Sequence, residues 1–96
     1  MPADMINDME VTDPSAFADH AKLSPPTVAL YGGRFLARGG AIALLQGDRT
    51  PKRLVILEFP SVERARLDSP EYAPARRLRQ NATRSNIVGV EGYAPA

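Results

Sequence analysis

Apolar and polar residues alternate from Asp4 to Val11, with Met5, Asn7, Met9 and Val11 on one side and Asp4, Ile6, Asp8 and Glu10 on the other. A period of two is the mark of a half-buried strand. Thr12-Asp13-Pro14 then signals a helix start, because Asp13 can accept from the first free amides and proline suits the first turn. Phe17, Ala21 and His20 give that helix a short apolar face. Ser24-Pro25-Pro26 interrupts it, since residues before proline avoid the α region. The pattern therefore predicts two helical pieces, about 14–22 and 26–31, the second closed by Gly32-Gly33.

Residues 33–46 read as one long strand bent at Gly39-Gly40, followed by a turn from Gln46 to Pro51. Lys52 to Phe59 is the strongest strand signal, with Leu54-Val55-Ile56-Leu57 apolar on both faces. Pro60-Ser61 leads into a short helical piece. Asp68-Ser69-Pro70-Glu71 restarts a helix that runs to about Arg84, and Asn86 to Glu91 forms the last strand. The order β-α-β-β-α-β predicts an α+β, ferredoxin-like domain over residues 1–96, with a four-stranded antiparallel sheet and helices on one face. Strands that are apolar on both sides need cover on both sides. The chain has no element left for the second face, so a homodimer packed sheet to sheet is expected.

Composition narrows the function classes. The chain has no cysteine, which excludes disulfides and thiolate metal sites. Its formal net charge of +1 gives no reason to expect nucleic acid or an anionic membrane as a partner. There is no apolar run long enough for a bilayer and no signal-peptide pattern, so a cytoplasmic location is expected. One histidine and scattered aspartates do not make a zinc or calcium site, and neither a metal nor a cofactor is expected.

Several segments together resemble a known family. They are Glu10-Val11-Thr12-Asp13-Pro14, Tyr31-Gly32-Gly33-Arg34-Phe35-Leu36-Ala37-Arg38-Gly39-Gly40, Leu57-Glu58-Phe59-Pro60-Ser61, Asp68-Ser69-Pro70-Glu71-Tyr72 and Leu78-Arg79. In this order they resemble the small bacterial family called domain of unknown function 1330, within the dimeric α/β-barrel superfamily. The resemblance spans about residues 4–92 and implies a ferredoxin-like protomer and a sheet-to-sheet dimer. It implies no reaction and no catalytic residues. Two departures stand out. Asp4-Met5 replaces an aromatic usual in relatives, and Ser61-Val62-Glu63-Arg64-Ala65-Arg66-Leu67 runs into Asp68 without their aromatic pair. Both losses imply a pocket that is smaller, wetter or absent.

Strand parity proposes the candidate chemistry. Glu58 shares a face with Leu54 and Ile56, and Arg34, Leu36 and Arg38 are expected on that same dimer side, opposite Phe35 and Ala37. Asp8 and Glu10 can join them. In the functional reading Arg38 grips a carboxylate or enolate and Glu58 acts as base. The plainer reading is an Arg–Glu pair that orients the dimer. Arg79 shares a helical face with Tyr72 and Ala75, and either anchors a carboxylate or snorkels. His20 has the titration range of a general base, yet a lone histidine is commonly a border residue. Tyr31 and Tyr72 can donate to a ligand oxygen or simply pack. Arg76, Arg77 and Arg84 read as solvated surface, and the glycine pairs match no phosphate-binding loop.

Three functions follow from these readings. The first is a homodimer that binds a small polar or aromatic metabolite at the sheet, or dimer, side. The second is a cofactor-independent isomerase or oxygenase. The third is a structural or stress-related interaction protein without a ligand. A cavity of roughly 300 Å3 is what a drug-sized ligand requires.

Overall fold

The computed structural model describes residues 2–65 and 73–93. Alternation sets the first strand, β1 (Ala3–Val11), in which Ala3, Met5, Asn7 and Met9 are buried and their neighbours are not. β1 pairs antiparallel with β3 (Arg53–Phe59) on one side and with β4 (Thr83–Glu91) on the other; β3 pairs antiparallel with β2 (Arg34–Arg38). The sheet order β2-β3-β1-β4, with helices on one face, is the ferredoxin-like arrangement.

Helix α1 (Pro14–Leu30) begins as its sequence dictates. Asp13 caps it, Oδ1 accepting from the Ala16 amide at 3.2 Å, and Pro14 opens the first turn. It ends in a Schellman motif, with the Gly33 amide donating to Val28 O and the Gly32 amide to Ala29 O. Gly32 takes φ +78, the left-handed conformation that motif needs. Between these ends the expectation of two helical pieces is corrected: α1 is one helix of 17 residues that runs through Pro25 and Pro26. Pro25 lacks the amide that would bond the Ala21 carbonyl. Arg38 Nη2 donates to that carbonyl instead, at 3.0 Å. His20, Ser24 and Val28, four residues apart, form the stripe that α1 buries.

Two strand boundaries also differ from expectation. β2 stops at Arg38 and does not run to Gln46. Gly39, at φ +69, turns the chain out of the sheet, and residues 40–46 are irregular, with Leu45 93% exposed. Helix α3 (Ala73–Ala82) ends two residues earlier than expected, and β4 begins at once with Thr83 opposite Val11. Thr83 Oγ1 donates to Arg79 O at 2.6 Å, and the Thr12 and Asp13 amides both donate to Ala82 O, which closes the helix. A short helix α2 (Val62–Ala65) follows Phe59 as expected. The helix start at Asp68-Ser69-Pro70-Glu71, the lost aromatic pair and Tyr72 lie outside the described residues.

The core lies between the sheet and the helices: Met5, Met9, Val28, Val55, Leu57, Phe59 and Ala75, with Phe59 1% exposed. On the other face, register puts Ala37, Ile56, Ile6 and Val88 in one row across all four strands. Among the described residues no helix of the chain covers that face. The chain is accordingly a slab, 46 × 38 × 17 Å.

Candidate functional site

A one-residue bulge decides the site. Arg34 pairs with Glu58 and Phe35 with Leu57, but the next pair is Ala37 with Ile56, so Leu36 is the extra residue. Each residue beyond a bulge changes face. Arg38 therefore lies opposite Val55, on the helix side, and not with Glu58 as strand parity suggests. This corrects the expected Arg38–Glu58 pair. Glu58 bonds Arg34 Nε at 3.0 Å on the opposite face, where both side chains are solvated. Such a pair is worth about 0–1 kcal/mol. Asp8, also on that face, bonds Arg49 Nη2 of the loop at 2.8 Å.

On the helix side, Arg38, His20 and Arg79 meet around a cavity of about 30 Å3, together with Asn7, Ser24 and Arg53. The Arg38 guanidinium lies 4.6 Å from the Phe35 ring centroid, and that of Arg53 lies 5.2 Å from the Phe17 centroid. These stackings hold both cations by a cation–π attraction. Gly39 makes room for Arg53: a Cβ at that position would overlap the guanidinium. Met5, Phe17 and Val55 add apolar wall.

Asn7 Oδ1 and Arg53 Nε, both in the lining, are buried with no hydrogen-bond partner among the described residues. His20 is 7% exposed and tilted against Phe17, ring centroids 5.6 Å apart. Its pKa falls from 6.5 to about 4 through burial first, then the positive charges of Arg79 and Arg38. The imidazole is neutral at pH 7. No aspartate or glutamate lines the cavity among the described residues. Arg38 and Arg53, with no carboxylate among the described lining residues, suit an anionic ligand.

The other sequence candidates lie elsewhere. Tyr31 terminates α1 and packs half-buried on the core, away from the cavity lining. Arg34 and Glu58 lie on the outer face. Arg84 lines an open cleft of about 400 Å3 with Asp8, Glu10, Arg49 and Lys52, where both signs of charge already meet. Sequence reasoning passed over Asn7 and Arg53 as site residues. The signal was present, because Asn7 alternates with Met5 and Met9, and Arg53 with Val55 and Leu57. Among the described residues no cluster of three or more histidine, cysteine or acidic side chains is placed to hold a metal. None of the helices there is long and apolar enough to cross a membrane.

The sequence profile of a domain of unknown function, DUF1330, matches residues 2–93. The chain belongs to the DUF1330 family. Its fold agrees with solved structures. The protein of unknown function RPA0582 from Rhodopseudomonas palustris is 25% identical, with a TM-score of 0.77 over 98% of this chain and 84% of that one. A methylated form of RPA0582 gives 23% identity and a TM-score of 0.75, covering 98% and 82% of the two chains. SnoaB, a cofactor-independent oxygenase from Streptomyces nogalater, is 14% identical with a TM-score of 0.63, over 98% of this chain and 95% of that one. At that identity the likeness to SnoaB is one of fold. No curated protein matches the chain. Membership in DUF1330 thus brings an architecture and no reaction, and the function has to be argued from the cavity.

Proposed function

We propose that this DUF1330 protein is a one-domain homodimer that binds a small anionic metabolite in the helix-side cavity of each protomer. The site moves from the sheet side, where the sequence suggested it, to the opposite layer. The observation that carries the reading is the entry of the Arg38 and Arg53 guanidinium groups into a partly buried cavity without a carboxylate among the described lining residues. Arg53 is half-buried with its Nε unpartnered among the described residues, and a ligand carboxylate supplies a charge-assisted acceptor for it. Size supports a small ligand: one water needs about 10–15 Å3 of such space and a drug-sized molecule some 300 Å3, against about 30 Å3 here. The cysteine-free composition is in keeping with a cytoplasmic location.

Acetate, titrated into the protein at pH 7 and followed by amide chemical shifts, tests the site. Shifts are expected at Asn7, His20 and Arg53. Arg53→Gln weakens binding at least tenfold, whereas Arg34→Gln on the outer face leaves it unchanged. Absence of saturable shifts, or equal affinity in Arg53→Gln, refutes the reading.

His20 favours a second reading, a cofactor-independent isomerase. An unprotonated imidazole beside guanidinium groups can take a proton from the carbon next to a bound carbonyl while the arginines hold the enolate, but with a pKa of about 4 it is a weak base for that step. Exchange of the pyruvate methyl protons in D2O, lost in His20→Gln, is the expected sign. Exchange at the rate of buffer alone leaves the binder.

A further inference from the structure

We propose that the preferred occupant of the cavity is a small 2-hydroxycarboxylate, its carboxylate on Arg38 and Arg53 and its hydroxyl donating to Asn7 Oδ1. This rests on the reading of the cavity as an anion site and goes further by naming the class of anion.

Two unmet atoms of opposite character make the argument. Asn7 is 4% exposed, and its Oδ1 accepts from nothing among the described residues. Arg53 Nε is a buried donor that gives to nothing among the described residues. Both line one cavity. The register places Asn7 opposite Val55 and Arg53 opposite Met9, so the two are diagonal neighbours on the helix face of the sheet, about 7–8 Å apart by the geometry of such pairs. An occupant that bridges them has to accept at one end and donate at the other.

Simple candidates fail on one count each. Acetate gives Arg53 an acceptor and leaves Asn7 Oδ1 unmet. An amine gives Asn7 a donor but places a second positive charge among the arginines. A hydroxyl on the carbon next to a carboxylate meets both. The cavity presents arginine side-chain forks, which a planar carboxylate matches. Its apolar walls of Met5, Met9, Phe17 and Val55 receive the carbon skeleton.

The experiment compares three ligands on the intact protein by chemical-shift titration at pH 7: glycolate, acetate and methoxyacetate. Methoxyacetate keeps the second oxygen and lacks the donor. Leaving a buried acceptor unmet costs on the order of 1–3 kcal/mol, so glycolate is expected to bind roughly tenfold tighter than either comparator. In Asn7→Leu the three are expected to bind alike. Equal binding of glycolate and acetate by the wild-type protein overturns the inference and leaves the anion site standing, with Asn7 then served by water. A glycolate preference that persists in Asn7→Leu also overturns it. Binding of none of the three overturns the anion site and this inference with it.

Discussion

Burial, Arg79 and Arg38 hold the His20 imidazole at a pKa of about 4, against an ordinary 6.5. The groups that face it come from every element around the cavity: Phe17 on its own helix, Asn7 on β1, Arg38 on β2, Arg53 on β3 and Arg79 on α3. None of these is acidic. Between pH 6.5 and about 4 the unfolded chain carries a proton on His20 that the folded one does not. Stability therefore rises with pH across that window, and falls as acid protonates the unfolded state. Urea unfolding at a series of pH values is expected to show this slope, and His20→Gln to reduce it. A slope unchanged in the variant would remove His20 as its source. A bound carboxylate offsets the field of the arginines, so saturating acetate is expected to move the His20 pKa upward, read from its ring-proton shifts.

A hydrogen bond from Arg38 to the Ala21 carbonyl joins β2 to α1. An interior proline costs a helix about 3 kcal/mol, partly through the amide it lacks. Arg38 supplies the missing donor, and with it α1 stays continuous over the cavity. Arg38→Met removes that donor and, the bond being exposed, should destabilise the protein by about 0.5–1.5 kcal/mol. Pro25→Ala restores the amide at the same place. In that background Arg38→Met should cost clearly less, a coupling that denaturant midpoints for the four proteins of the cycle would report. Additive losses would mean that the carbonyl does not need Arg38. The same contact marks the limit of what the chain discloses as text. Alternation gave the buried faces of β1, through Met5, Asn7 and Met9, and of β3, through Val55, Leu57 and Phe59; Arg53 shares the latter face. It failed for Arg38, because the single extra residue Leu36 inverts every later side chain in β2. No local pattern marks that bulge. The break expected at Pro25-Pro26 failed for a related reason: the donor that keeps the helix whole arrives from a strand 17 residues away in sequence.

Across the whole protomer the uncovered sheet face has the anatomy of an interface. Ala37, Ile56, Ile6 and Val88 run across the four strands as a row, and Val88 is 50% exposed. The Arg34–Glu58 pair lies toward one end of the strands, and the Asp8–Arg49 pair toward the other. An apolar centre with a charged rim suits a second copy of the same sheet, packed about 10 Å away. Light scattering should then give twice the 10.4 kDa protomer mass. Ile56→Lys places a charge at the middle of the row and should yield monomers. Because the cavity lies in the opposite layer, between one chain's sheet and its own helices, those monomers should still bind acetate and keep the depressed His20 pKa. A wild-type protein that is monomeric at micromolar concentration would refute the dimer. Monomers that lose acetate along with the contact would show instead that the sheet face and the cavity depend on each other, and that the site needs two chains.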